Sequence, residues 1–329
     1  MPLHGVKIIG TGSYLPEKIV TNHDLEKLVE TSDEWITERT GIKERRISAA
    51  DEPTSMLAEK AARRAMEMAG VTAEELDLII CATMTPDTRM PNMGCQVQAR
   101  LGAKGCPAFS IEVACSGFLY ALKIASDMIR CGTFKTVLVV AAEELSKVTD
   151  WTDRNTCVLF GDGSGAVVLR QVPAAQTSIV SSTIGADGRH VDLLIIPAGG
   201  TRLPLTTELL EQHMDCIKMS GKEVFKLAVE NMLGSCQRAL KEANLTVDDL
   251  RWLVPHQANT RIIQAIGKRL GIADEKVFVN LDKYGNTSAA TIPIALDEIV
   301  RSGRLQHGDH VLLTAFGGGL TWGAMVLRW

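Results

Sequence analysis

The sequence predicts an α/β fold made of two related halves, and three observations carry that expectation. The stretch Arg64-Ala65-Met66-Glu67-Met68-Ala69-Gly70-Val71-Thr72-Ala73-Glu74-Glu75-Leu76 recurs 174 residues on as Arg238-Ala239-Leu240-Lys241-Glu242-Ala243-Asn244-Leu245-Thr246-Val247-Asp248-Asp249-Leu250, with five positions identical. A second echo comes in the same order. Ile124 to Ile129 precedes a glycine turn and the apolar run Thr136 to Val140, and Ile294 to Ile299 precedes Gly303 and His310 to Thr314. Throughout, helical patterns alternate with short apolar runs, as they do where helices cover mostly parallel sheets. Two ordered matches at similar offsets indicate duplication of one mixed unit, far too long for a solenoid repeat, with halves at 1–172 and 173–329.

Composition narrows the function. Hydrophobic residues at 46% and charged residues at 22% of 329 fit a globular chain with ample core. With 35 basic against 39 acidic residues, the net charge of -4 argues against a nucleic-acid partner held by a global field. The longest apolar runs, such as Val137 to Ala142, fall far short of the roughly 20 residues that cross a bilayer, so no membrane partner is expected. Met1 to Gly10 carries no charged leader or apolar signal segment, and a cytoplasmic location is expected. The eight cysteines form no CxxC pair and no cluster with zinc spacing, so no metal or disulfide framework is expected.

Taken in order, the elements place several polar groups where strands end. Gly10-Thr11-Gly12 has Leu15 where a dinucleotide fingerprint needs its third glycine, and Gly161-Asp162-Gly163-Ser164-Gly165 lacks the Lys-Ser/Thr of a P-loop; both read as turns. Phe109 to Ala114 reads as a strand and Ser116 to Arg130 as a helix, with Cys115 at the junction. A thiol there faces unpaired N–H groups and the positive end of the helix dipole, about half an elementary charge, which favours thiolate. A small buried residue at a strand–helix turn would look the same. His256, in Pro255-His256-Gln257-Ala258-Asn259, emerges between a strand and the helix Thr260 to Leu270. Asn286, in Tyr284-Gly285-Asn286-Thr287-Ser288-Ala289, precedes the helix Thr291 to Val300 and would also serve as an N-terminal cap. Glycines in Phe316-Gly317-Gly318-Gly319 would let backbone N–H groups approach a reacting oxygen.

These segments, with Thr31-Ser32-Asp33-Glu34-Trp35-Ile36, Arg39-Thr40-Gly41-Ile42, Ala114-Cys115-Ser116-Gly117 and Phe160-Gly161-Asp162-Gly163, resemble the β-ketoacyl-acyl-carrier-protein synthase III family from the N-terminus to Trp329. The resemblance implies a thiolase-like fold with five layers, αβαβα, and a fatty-acid-initiating acyltransferase that joins an acyl-coenzyme A to a malonyl-acyl-carrier protein by decarboxylative condensation. It implies Cys115 as nucleophile, His256 and Asn286 as the second-step donors, and an oxyanion hole from the N–H groups of Cys115 and Gly318. Coenzyme A, a substrate and not a resident cofactor, is expected at Thr31, Trp35, Arg39, Arg154, Gly221, Phe225 and Asn259, with Trp35 and Arg154 enclosing its adenine. The acyl pocket would include Leu145, Phe160 and, across a homodimer interface, Met90. The acidic carrier protein would meet Gln257, Arg261, Lys268 and Arg269.

Two departures from the family stand out. Residues 186–220 form a stretch longer than the usual connection, read as a lid or a surface elaboration. Met90 stands where the family often has an aromatic residue, which implies tolerance of acyl groups longer than acetyl. Rival readings fit less of the chain. A degradative thiolase places a second cysteine in the C-terminal glycine region, elongating condensing enzymes use two histidines, and nothing resembles the signature of a cysteine hydrolase. A non-catalytic acyl-binding relative would keep the same residues.

Overall fold

The computed structural model describes residues 3–329. The first sheet is built from β1 (Gly5–Tyr14), β2 (Leu78–Ala82), β3 (Ala108–Ile111), β4 (Thr136–Glu144) and β5 (Asp162–Val172), in the order β1-β5-β4-β2-β3. The second contains β6 (Ile179–Ala186), β7 (Leu250–Pro255), β8 (His310–Gly317) and β9 (Thr321–Arg328), in the order β7-β8-β9-β6. Beyond β7 a single parallel bridge from Leu253 to Val277 stands where the first sheet has β3. The order of strands is therefore the same in both sheets.

The sheets are mixed, which corrects the expectation of mostly parallel pairing. The pairs β2–β3, β2–β4 and β7–β8 run parallel, whereas β1–β5, β4–β5, β8–β9 and β6–β9 are antiparallel. Only three residues, Gly318 to Leu320, join β8 to β9. So short a link closes a hairpin but cannot make the crossover that parallel strands require.

The principal helices are α1 (Asp33–Thr40), α2 (Thr54–Ala69), α3 (Met93–Leu101), α4 (Gly117–Arg130), α5 (Gly221–Ala243), α6 (Thr260–Leu270) and α7 (Thr291–Arg301). Five layers follow from which strand face each apolar stripe covers. Ala58, Ala61, Ala65 and Val97 of α2 and α3 pack on Ile79, Leu138, Val140 and Val168. The opposite faces of both sheets, including Ile80, Val139, Val254 and Leu313, enclose Phe118, Leu122, Ile292 and Leu296 of α4 and α7. Ala228, Met232 and Ile266 of α5 and α6 cover the far side of the second sheet.

Neither glycine cluster forms a turn: Gly10 and Gly12 lie inside β1, and Gly163 and Gly165 lie inside β5, with Gly161 just before it. A Cβ on Gly10 would stand 2.2 Å from the Ala65 carbonyl oxygen, and one on Gly12 would stand 2.3 Å from that of Ala61. The glycines of β1 thus let α2 rest directly on the strand backbone. Gly165 does the same for α7, where a Cβ would stand 2.7 Å from that of Pro293. No helix among the described residues is long and apolar enough to cross a membrane.

Candidate active site

Cys115 lies in one turn of 3-10 helix, Ala114–Ser116, between β3 and α4. The strand stops at Ile111, short of the expected Ala114. Ala114 takes φ +43°, a left-handed conformation that L-residues adopt at a cost of order 1–3 kcal/mol and that recurs at functional turns. The turn aims the thiol into a cavity of about 1100 Å³ that His256, Asn286, Ser288, Gly317 and Gly318 also line. A Cβ on Gly317 would stand 2.6 Å from the Cys115 backbone nitrogen, so only glycine permits this contact between the halves.

His256 follows β7, with its backbone N–H donating to the Thr314 carbonyl at 2.8 Å. Its Nδ1 lies 2.7 Å from Thr291 Oγ1, which leaves Nε2 for the cavity. Asn286 is strapped to the other half: its N–H donates to Leu159 O at 2.8 Å, and Gly161 N–H donates to its carbonyl at 3.1 Å. Its Oδ1 accepts from Ser288 N at 2.8 Å, so it orders this loop and does not cap α7, whose N-cap is Ala290.

Burial pushes the Cys115 thiol up to about 12, opposed by Ser288 and reinforced by the Glu143 carboxylate. This pull is opposite to that of the helix terminus, whose half-charge of dipole favours the thiolate. His256, 3% exposed, is pushed down to about 3 by burial alone and is a neutral imidazole. Glu143, fully buried at the end of β4, is raised to about 7 by desolvation; it accepts from Thr83, Met84 N and Thr85, and its closeness to Ser288 favours the ionised form. Ser288 thus stands between thiol and carboxyl. Sequence reasoning gave Ser288, Thr291 and Glu143 no role; an acid ending an otherwise apolar strand was the one available signal.

Leu145 and Phe160 line the cavity and cluster with Ile217, while Leu194, Ile196 and Met219 complete its apolar wall. The 186–220 stretch therefore supplies part of the cavity wall. Met90 is 87% exposed and does not line the cavity of its own chain.

Trp35, Arg39, Gly221, Phe225 and Asn259 line the cavity, whereas Thr31 and Arg154 do not. The Thr31 hydroxyl is buried without a hydrogen-bond partner. Arg154 lies 4.8 Å and Arg39 5.0 Å from the Trp35 ring centroid, so the arginines stack on the indole itself. An adenine would have to displace Arg154, because the gap expected between Arg154 and Trp35 is closed. Asn259 caps α6 through Arg261 N at 2.8 Å and ties it to α1 through Arg39 O at 3.1 Å.

Of the four expected carrier contacts, Gln257 is misplaced. It is 1% exposed; its amide donates to Pro255 O and Phe278 O, and its Oε1 accepts from Asn280 N. Its side chain thus serves backbone groups at the end of β7 and in the Phe278–Asn280 segment, as a buried amide must. Arg261 lines the cavity mouth, and Lys268 and Arg269 are exposed at the far end of α6.

Two stacked α/β halves, with a cysteine on a strand–helix turn and a histidine and an asparagine beside it, define a thiolase-fold acyltransferase. Residues 109–188 match the family description 3-oxoacyl-[acyl-carrier-protein] synthase III, and residues 240–329 match its C-terminal part. The chain belongs to the β-ketoacyl-acyl-carrier-protein synthase III family, and it is an acyltransferase of fatty acid biosynthesis. A β-ketoacyl-[acyl-carrier-protein] synthase III from Caldanaerobacter subterraneus is 54% identical over 98% of this chain and 97% of its own. The 3-oxoacyl-[acyl-carrier-protein] synthase III structure from Aquifex aeolicus is 50% identical, with TM-score 0.91 over 99% of this chain and 100% of that one. The priming β-ketosynthase of the R1128 polyketide pathway, 36% identical, superposes with TM-score 0.91 over 99% of this chain and 97% of its own.

Proposed function

We propose that Cys115 takes the acyl group of an acyl-coenzyme A and that His256 and Asn286 then promote its condensation with malonyl-acyl-carrier protein. The carrying observation is that these three side chains, from separate segments of both halves, line one cavity with an apolar wall. A cysteine thioester keeps the acyl carbon electrophilic for carbon–carbon bond formation. Loss of carbon dioxide from the malonyl group leaves an enolate, whose oxygen needs hydrogen-bond donors more than a full proton. His256, neutral, and the Asn286 amide can supply them. Cys115 and Gly318 both line this cavity, and their backbone N–H groups suit a tetrahedral oxyanion.

Trp35, Arg39 and Asn259 at the mouth suit coenzyme A, with Gly221 and Phe225 along the pantetheine path and Arg154 swinging off Trp35 to admit adenine. Arg261, Lys268 and Arg269 offer an acidic carrier a basic helix face. Met90, exposed on its own chain, suits a homodimer in which it closes the partner's acyl pocket. The test is mass spectrometry after incubation with acyl-coenzyme A. The protein gains one acyl mass, Cys115→Ala gains none, and added malonyl-carrier protein yields a β-ketoacyl product. His256→Ala and Asn286→Ala keep the acyl mass but condense at least about 100-fold more slowly, the scale of a lost oxyanion donor. Free acid in place of the adduct would contradict the assignment.

A further inference from the structure

Thr291, the first residue of α7, is 3% exposed, and its hydroxyl has two neighbours. Oγ1 lies 2.7 Å from His256 Nδ1 and 3.1 Å from the Ser288 carbonyl oxygen. A carbonyl can only accept. When the hydroxyl proton points to Ser288 O, its oxygen can only accept from Nδ1–H, and Nε2 is bare. When the hydroxyl turns its proton to Nδ1, the ring carries its hydrogen on Nε2. A carboxylate or an amide N–H at this position would permit one arrangement and forbid the other.

We propose that Thr291 is a positioning residue that lets His256 hold its proton on Nδ1 while Cys115 is a free thiol and on Nε2 once Cys115 is acylated. This rests on the roles given above to Cys115 and His256. The free thiol offers an S–H donor to the cavity, which a bare Nε2 complements. The thioester has no such hydrogen and presents carbonyl oxygens, which Nε2–H complements. Because burial keeps the ring uncharged, its one proton must change sites for the ring to change from acceptor to donor. In that exchange water removes the Nδ1 proton and returns one to Nε2, leaving the charge unchanged.

The consequence is order in the reaction. With Nε2 bare, a malonyl thioester that arrives early finds Asn286 alone as side-chain donor for its enolate oxygen. After acylation Nε2–H joins Asn286, the bond to the departing carbon dioxide breaks, and the new carbanion attacks the acyl carbon. The bond from that carbon to Cys115 Sγ then breaks, and Sγ takes from water the single proton that the second half-reaction consumes.

Nitrogen-15 spectra of histidine-labelled enzyme test this directly. The expected result is Nδ1–H in the free enzyme and Nε2–H in the acylated enzyme; one tautomer in both overturns the proposal. In Thr291→Val the Nδ1–H would face a methyl group, so the ring adopts Nε2–H throughout. Malonyl-carrier decarboxylation without an acyl donor then rises about tenfold relative to condensation, whereas Thr291→Ser behaves as wild type. An unchanged ratio in a folded valine variant overturns the proposal. Should the valine variant fail to fold, the wild-type spectra decide. Wild-type Cys115 that takes no acyl group would instead refute the site assignment, and the free-enzyme spectrum alone would then confirm or refute the Nδ1–H arrangement.

Discussion

Burial favours the uncharged forms of Cys115 and His256, and for the histidine this makes stability sensitive to acid in a particular direction. Unfolded, the imidazole titrates near its ordinary 6.5; folded, it does so near 3. Between these values the unfolded chain binds more protons, so stability falls as pH drops below 6.5 and is unaffected by this group above it. At about 1.4 kcal/mol per unit, the loss from pH 6.5 to pH 5 is about 2 kcal/mol. Urea unfolding of His256→Ala at pH 7.5 and pH 5.0 is expected to lack that component of the wild-type difference. Sequence reasoning located Cys115 and His256 because small or polar residues abruptly end apolar runs there. Their ionisation was not legible, since the groups that exclude water, such as Gly317 beside Cys115, come from distant segments. Gln257 failed for the same reason: its partners at Phe278 and Asn280 are remote in sequence.

At the scale of elements, α6 matches its sequence expectation residue for residue, running Thr260–Leu270 between an Asn259 cap and Gly271. Arg261 and Lys268 are seven residues apart, roughly 10 Å along the helix axis. Their spacing suits the surface of an acidic partner better than one phosphate. Arg261→Glu is expected to raise the KM for malonyl-carrier protein about tenfold at low salt and to leave acylation by acyl-coenzyme A within about threefold. The difference should shrink at high salt, where exposed charges are screened. A KM unchanged at low salt would remove this helix from the docking surface. The glycine-rich segments were the elements least legible in sequence. Glycine suits a turn and a strand pressed by a helix equally well, and only the carbonyls of Ala61 and Ala65 distinguish them at β1.

At the scale of the whole molecule, the internal repeat anticipated a duplicated unit of helices and strands, and the resemblance anticipated five layers. Strand direction was beyond either, because apolar content does not report it. The middle layer belongs to both halves, with Phe118 and Leu122 from one packed among Ile292 and Leu296 from the other. Residues 1–172 expressed alone would expose the apolar inner faces of the first sheet and α4. They are expected to aggregate or to unfold without a cooperative transition, measured by calorimetry against the full chain. A soluble, cooperatively folding fragment would show that the halves are independent units.

The backbone of Gly317 rests on that of Cys115, and these two residues come from opposite halves of the chain. The nucleophile therefore has no finished surroundings until the halves have docked, however complete each sheet is by itself. Chemical reactivity at this one sulfur becomes a clock for the last event of folding, and a refolding chain could regain its full circular dichroism before it regains its first turnover.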